Sequence, residues 1–145
     1  MIREIPSAKK HLWQNFLRNK NILNTIIDAE SLSGKDIIEI GPGPWDLTES
    51  LLAKTPRSLK VIEIDNDMIP LLRKRFWEKI EIYHHDVLKI DISKNRSENE
   101  TTIVVPHTYT VYGNIPYYIT SPILMHFLYE IEYLPDALTL TKIGE

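Results

Sequence analysis

Short apolar runs recur along this chain, and stretches with a helical pattern separate most of them. The runs are KDIIEIGPG, SLKVIEID, KIEIYHHD, TYTVYGN and DALTLTK, and the helical stretches include DLTESLLAK, DMIPLLRKRFWE and SPILMHFLYEI. Strands that alternate with helices are typical of a doubly wound α/β domain with a mostly parallel sheet. Residues 91 to 102 are polar and predict a loop before the fourth strand.

Residues that favour helix starts predict where three of these helices begin. Asp46 is the predicted N-cap of the helix in DLTESLLAK. Pro70 is tolerated only within the first turn, so its helix is predicted to begin near Asp67. Ser121 is the predicted N-cap of the last helix, with Pro122 at its first position.

The length and composition indicate one ordinary globular domain. A chain of 145 residues with 43% hydrophobic and 26% charged residues can bury a sizeable core. It has no cysteine, which excludes disulfides and thiolate metal sites. No apolar run reaches the length of a membrane span, and the first residues lack the apolar core of a secretory signal. We therefore expect a cytoplasmic protein with no membrane partner and no metal.

The charge is unevenly distributed, although the net charge is only −3. Residues 1 to 20 carry five cations and one anion, which gives 5 − 1 = +4, and a second basic cluster, RKRFWEK, lies at 73 to 79. A basic arm can contact nucleic-acid phosphates, but composition alone favours a solvated terminus. The cations of the arm are Arg3, Lys9, Lys10, Arg18 and Lys20.

The first strand ends in a glycine turn that can border a ligand. Ligands of doubly wound sheets bind at the carboxyl ends of the strands, and Gly41 and Gly43 lie there. The third glycine of the dinucleotide fingerprint would stand at Asp46, whose carboxylate disfavours a pyrophosphate. A nucleoside without phosphate fits better, although a purely structural turn is nearly as well supported.

Acidic residues end the next two strands. Glu63 follows Gly43 by 20 residues, the spacing at which a carboxylate meets ribose hydroxyls in Rossmann-type domains. Asp86 would lie near an adenine ring and could accept a hydrogen bond from its exocyclic amine. For Asp86 alone, a functional and a structural role are equally supported.

The fourth strand runs into the stretch Asn114-Ile115-Pro116-Tyr117. Pro116 has no N–H and a fixed φ, so a turn here would present carbonyl acceptors, and Asn114 adds an amide. Tyr117 offers a flat face on which a base can stack. Acceptors beside an aromatic ring suit a base that bears an amine and is extruded from a nucleic acid.

The motifs HLWQNFL, IIEIGPGPWDLT, VIEID, HHDVLKID and GNIPYYITSPIL occur together in this order. In sequence and spacing, roughly residues 7 to 140 resemble the rRNA adenine N6,N6-dimethyltransferases, and most closely the KsgA-type enzymes of small-subunit rRNA. The resemblance implies a Rossmann-like class I methyltransferase fold, S-adenosylmethionine as cofactor, and small-subunit rRNA or its precursor particle as partner.

The resemblance also implies roles for particular residues. The implied catalytic residues are Asn114, Ile115, Pro116 and Tyr117, with Asn114 beside the target amine and Tyr117 stacked on the target adenine. The implied RNA contacts are Lys9, Lys10, Arg18 and Lys20. The cofactor-binding set comprises Asn15, Leu17, Gly41, Gly43, Glu63, Asp86 and Asn114.

The sequence departs from the family at three places. Trp13 stands where the family usually has glycine before QNFL. Pro44-Trp45 replaces a small-residue turn, and the indole could crowd the cofactor's methionine end or pack outward. The chain stops at Glu145, whereas the relatives continue into a small helical domain. We therefore expect a basic arm over 1 to 20 and a partial methyltransferase domain over 21 to 145. We expect this chain to be of marginal stability, to self-associate through an exposed edge strand, or to be a fragment of a longer gene product.

Other functions fit fewer of these features. A large-subunit rRNA adenine methyltransferase of the antibiotic-resistance type shares the motifs, but ITSPIL favours the small-subunit enzymes. A truncated remnant would bind RNA or cofactor without turnover. A nicotinamide-dependent oxidoreductase is disfavoured by Asp46 and leaves the Asn-Ile-Pro-Tyr stretch unexplained.

Overall fold

The computed structural model of this protein describes residues 20–43 and 45–143, and the side chains of these residues except 20–23, 117, 142 and 143. The α-helices are α1 (Lys20–Ile27), α2 (Asp46–Leu52), α3 (Met68–Phe76) and α4 (Tyr117–Met125). Shorter turns are the 3₁₀ helices Trp77–Lys79 and Val87–Lys89 and the π-helix His126–Glu130. The strands are β1 (Asp36–Ile40), β2 (Ser58–Ile62), β3 (Glu81–Tyr83), β4 (Asp91–Ser93), β5 (Thr102–Val104), β6 (Tyr109–Pro116) and β7 (Ala137–Ile143).

Five of the strands form one parallel sheet in the order β3-β2-β1-β6-β7. The strand order reverses direction at β1, which pairs with β2 on one side and with β6 on the other. Ile40 stands opposite both Ile62 and Gly113, so the carboxyl ends of these three strands meet at one level. The predicted doubly wound α/β fold is confirmed.

The sheet divides the core into two layers because successive strand residues face opposite sides. Ile37 and Val61 pack toward α1, α2 and α3, and the first layer is completed by residues such as Leu51 and Leu72. Ile38 and Ile62 belong to the second layer, which packs against α4 and the segments that follow β3. Each layer is a continuous cluster of buried apolar side chains, as three-layer α/β domains require.

Two predicted helix starts are wrong. The N-cap position of α2 is Trp45, which has a left-handed backbone with φ of 57°, so Asp46 is the first helical residue. The last helix begins at Tyr117, and Pro122 lies inside it. The sequence rule failed for Pro122 because a helix that packs against a sheet can hold an internal proline despite its missing N–H donor.

The predicted loop over residues 91 to 102 contains strand residues at both ends. β4 and β5 pair in parallel as a small separate sheet, with Ile92 opposite Ile103. Both isoleucines are buried in the second core layer. Ile92 within the polar stretch and Ile103 directly after it therefore anchor a pair of strands that the polar composition of the stretch did not predict.

β3 and β7 are the edge strands of the described part of the sheet. β7 occupies the place predicted for the fifth strand, and its described side chains are half-buried. Self-association through this edge stays a prediction. Among the residues that the structure describes, no helix is both long enough and apolar enough to cross a membrane.

Candidate active site

A cavity of about 180 Å³ opens at the carboxyl ends of the parallel strands. It lies where the strand order reverses, which is the usual ligand site of doubly wound sheets. Strand ends and α4 supply its walls. Seven predicted site residues line it together: Gly41, Gly43, Glu63, Asp86, Asn114, Ile115 and Pro116.

The glycine turn after β1 forms the floor of this cavity. Gly41 and Gly43 both have left-handed backbones, with φ of 60° and 52°. Side chains other than glycine are strained in this region, so the turn favours glycine at both positions. The Gly41 N–H donates to the Ile62 carbonyl at 2.9 Å, which holds the turn against the end of β2.

The Trp45 indole does not crowd the cavity. Its side chain is 4% exposed and belongs to the first core layer, and the Arg75 guanidinium lies 5.5 Å from the ring centroid. Trp45 is absent from the cavity lining. The outward-packing alternative is also wrong, since the ring packs into the core below the turn.

Glu63 is buried at the end of β2. The Asp65 N–H donates to its Oε1 at 3.1 Å. Burial raises the pKa of Glu63 to about 7, while the N–H groups of Asp65, Ile64 and Gly43 oppose the rise and the nearby Asp65 carboxylate adds to it. Glu63 is therefore a carboxylate whose ionisation responds to ligands that donate hydrogen bonds.

Glu39 is a buried carboxylate that the motif analysis overlooked. It lies on β1, and its Oε2 accepts from the Thr48 hydroxyl at 2.6 Å, whereas its Oε1 has no partner among the described residues. Burial raises its pKa to about 8, and the charge of Glu63 contributes to the rise. An acidic residue inside the apolar run IIEIG was the signal that could have revealed it.

Asp86 caps a short helix and also lines the cavity. Its Oδ1 accepts from the Leu88 N–H at 2.9 Å and caps the 3₁₀ helix Val87–Lys89. This hydrogen bond fixes the carboxyl group at the cavity wall. His85 lines the same wall.

Asn114 lies on the opposite wall and is 7% exposed. It stands opposite Thr141 in the β6–β7 register, and the Thr141 hydroxyl donates to its Oδ1 at 2.9 Å. The position of the amide therefore depends on the edge strand. Sequence reasoning missed Thr141, because only the strand register brings it to Asn114.

Asn114, Ile115 and Pro116 do not form the predicted proline turn. All three belong to β6 and pair with β7 through Pro116, and α4 follows immediately. The Pro116 carbonyl accepts from the Thr120 hydroxyl at 3.3 Å. The strand can continue through Pro116 because a proline at the end of a strand removes no N–H donor that the strand pairing requires.

α4 contributes Tyr118, Ile119 and Ile123 to the cavity, none of which was predicted. Tyr118 is 58% exposed at the cavity wall. The Tyr117 side chain lies outside the described residues, as does that of Lys20. The rest of the predicted set also lies outside: Lys9, Lys10, Asn15, Leu17 and Arg18.

The charge of the cavity suits a cationic ligand with hydroxyl and amine donors. Glu63, Asp65 and Asp86 line it, and no lysine or arginine is among the lining residues in the described part of the chain. A pyrophosphate would meet carboxylates here, whereas a sulfonium nucleoside would not be repelled. The residues thus fit S-adenosylmethionine.

No cluster of three potential metal ligands occurs within residues 20–43 and 45–143.

The family model and the most similar relatives indicate the same family for this chain. The profile described as "Ribosomal RNA adenine dimethylase" matches residues 5–141. A protein of Ligilactobacillus salivarius named "Ribosomal RNA small subunit methyltransferase A" is 42% identical over 123 residues, which are 83% of this chain and 40% of that protein. A protein of Pelagibacter ubique with the same name is 37% identical over 86% of this chain and 44% of its own length.

Solved structures agree with this fold. The 23S rRNA methyltransferase ErmE superposes with a TM-score of 0.66 at 28% identity, over 86% of this chain and 48% of that protein. A dimethyladenosine transferase from Plasmodium falciparum gives 0.64 at 29% identity, over 86% and 42%. The chain spans less than half the length of each of these relatives.

Proposed function

The chain belongs to the ribosomal RNA adenine dimethylase family, and from that premise we propose that it transfers methyl groups from S-adenosylmethionine to N6 of adenosines in small-subunit rRNA. One observation carries the proposal: Glu63 and Asn114 border one cavity at the strand ends, and the described lining contains no lysine or arginine. The cavity is thus suited to a positively charged nucleoside on one side and an amine on the other.

The wall formed by β1, β2 and the segment after β3 would hold the cofactor. Ionised Glu63 would accept hydrogen bonds from the ribose hydroxyls, and Asp86 from the adenine amine. Gly41 leaves room for close approach because it has no side chain. When bound, S-adenosylmethionine supplies an electrophilic methyl group on a sulfonium.

The β6 wall would hold the target amine. The N6 lone pair of adenine is delocalised into the ring, so the amine is a weak nucleophile unless its hydrogens are held away from the reacting direction. The Asn114 side chain and the Ile115 carbonyl are acceptors suited to this task. No strong base is needed, because the amine becomes acidic as it is methylated, and the residues act mainly by orientation.

The choice of small-subunit over large-subunit rRNA rests on sequence. The curated relatives carry the small-subunit name at 34–42% identity. The fold does not discriminate, since ErmE and the dimethyladenosine transferase superpose almost equally well. The small-subunit precursor particle is therefore the partner that we propose.

A transfer assay tests this proposal. The 145-residue chain is incubated with methyl-labelled S-adenosylmethionine and either unmethylated small-subunit particles or large-subunit rRNA. We expect label in N6-methylated adenosines of the small-subunit RNA only. Label in the large-subunit RNA alone would support the resistance-type function, and cofactor binding without transfer to either RNA would indicate a non-catalytic remnant.

A further inference from the structure

A second groove lies at the opposite end of the sheet from the cavity. α3 ends here and β3 begins here, whereas the cavity opens beyond the carboxyl end of β3. A nine-residue helix spans roughly 13 Å, so the groove is well separated from the proposed active site. This Trp77 groove is lined by Arg73, Trp77, Glu78, Ile80 and Ile82.

Trp77 is unusual in both exposure and backbone. Its side chain is 74% exposed, and its φ of 43° and ψ of −120° are strained for a bulky residue. A solvent-facing indole adds little to the stability of the core. Its ring is therefore free to stack on a flat ligand group.

Exposed cations flank Trp77 in sequence, and one of them, Arg73, lines the Trp77 groove together with Glu78. Arg73, Lys74 and Lys79 are exposed, and none of them forms an ion pair with another residue in the described part of the chain. Glu78 is the nearest anion in sequence, so the local balance is 3 − 1 = +2. Their neighbour Arg75 differs, because it pairs with Glu49.

We propose that the Trp77 groove is a docking site for single-stranded RNA. A base stacks on the Trp77 indole while phosphates contact Arg73, Lys74 and Lys79, the combination by which proteins hold single strands without sequence preference. The inference rests on the proposed function, since it concerns the same substrate class. It uses no residue of the cavity, and the groove would anchor rRNA at a distance from the methylated base.

RNA binding by the full chain tests the site. Fluorescence anisotropy with a labelled single-stranded 12-nucleotide RNA gives the dissociation constant for the wild type, Trp77→Leu and Trp77→Tyr. Trp77→Leu should weaken binding about tenfold, and Trp77→Tyr less than about threefold, because tyrosine keeps a stacking face. Equal affinities for the wild type and Trp77→Leu, or no RNA binding by the wild type, would overturn the proposal.

Salt dependence gives a second readout that does not rely on Trp77. The double variant Arg73→Gln/Lys74→Gln should reduce the slope of log K against log salt by about 1.4, since each phosphate contact on a single strand contributes about 0.7. The matched control Lys94→Gln/Arg96→Gln removes the same charge from an exposed loop between β4 and β5. Equal reductions in both double variants would mean general charge attraction and would overturn the site.

S-adenosylmethionine calorimetry on the same variants separates the two proposals. Trp77→Leu should leave the cofactor dissociation constant unchanged. If the wild type does not bind S-adenosylmethionine but the groove substitutions still weaken RNA binding, the proposed function is contradicted and the docking site is supported. Normal cofactor binding and transfer, with RNA affinity insensitive to every groove substitution, would contradict the docking site alone.

Discussion

The two walls of the cavity are held in different ways. On the proposed cofactor wall, formed by β1, β2 and the segment after β3, two carboxylates are each fixed by a backbone N–H two residues later: Glu63 by Asp65 at 3.1 Å and Asp86 by Leu88 at 2.9 Å. On the target wall, Asn114 is fixed by Thr141, which lies 27 residues later on an edge strand. One wall is thus set by local turns and the other by tertiary pairing.

Under the proposed function, this difference implies that cofactor binding and methyl transfer are separable. Local hydrogen bonds form wherever the strand ends form, so the cofactor wall depends little on the rest of the chain. The target wall requires β7 to pair with β6 in register. Perturbing the second wall should therefore impair transfer while binding remains.

The largest expected effect follows from Asn114→Ala. Loss of a preorganised polar group beside a reacting atom typically lowers the rate about 10²- to 10³-fold. Single-turnover methyl transfer should fall by this amount, whereas calorimetry should show less than about a threefold change in cofactor affinity. Asn99→Ala in the exposed β4–β5 loop is the control. Equal losses of rate and affinity would contradict the separation of the walls.

Glu63→Gln tests the cofactor wall. Hydrogen bonds to a charged group contribute about 1.5–3 kcal/mol, so the cofactor dissociation constant should rise on the order of tenfold or more. The transfer rate at saturating cofactor should change much less. Glu98→Gln removes an exposed carboxylate as the matched control. Normal cofactor affinity together with a low transfer rate in Glu63→Gln would contradict the assignment of Glu63 to the cofactor wall.

The pH dependence of cofactor binding sharpens the role of Glu63. Its pKa is about 7 without ligand, and ribose donors together with a sulfonium charge favour the ionised form. Affinity should therefore increase about tenfold between pH 6 and 8, with proton release on binding. The profile of Glu63→Gln should be flatter. An affinity that falls as pH rises over this range would contradict the assignment.

The same pKa has the opposite consequence for stability. The folded pKa of Glu63 lies above the ordinary carboxyl pKa of 4.5, so the folded chain binds the proton more tightly than the unfolded chain. The contribution to unfolding free energy is present below pH 4.5 and is lost as pH rises toward 7. Glu39, with a pKa of about 8, extends this loss to higher pH.

Thr141→Val should give the smallest effect and the sharpest contrast. Valine keeps the shape but removes the hydroxyl that donates to Asn114. A lost hydrogen bond of about 1 kcal/mol predicts a roughly fivefold slower transfer with unchanged cofactor affinity. Thr139→Val changes the same strand face two residues earlier and is the control. An equal effect of both variants would mean that β7 acts only through stability.

The cofactor wall could be predicted from sequence because its rules are local. The glycine turn and the acidic residue 20 positions later are motifs of fixed spacing, and Gly41, Gly43 and Glu63 do line one cavity. The same local rules failed at Asp46, because the left-handed Trp45 occupies the N-cap position. Local sequence does not reveal that the indole is buried in the core.

The target wall could be predicted only in part. The Asn-Ile-Pro motif was found, but its extension of β6 depends on pairing with β7. No local signal connects Thr141 with Asn114, since their contact arises from strand register. The start of α4 at Tyr117 was missed for a related reason, as packing overrides the local preference of Pro122 for a first helical turn.

The most direct test of this account is to locate the cofactor on the two walls by NMR. An isotope-labelled chain is titrated with S-adenosylmethionine carrying a ¹³C methyl group, and nuclear Overhauser contacts are measured. We predict contacts from the methyl group to the Asn114 side-chain amide and from the ribose protons to the segment around Glu63 and Ile64. Methyl contacts restricted to the Glu63 wall, or a cofactor bound elsewhere on the chain, would contradict the account.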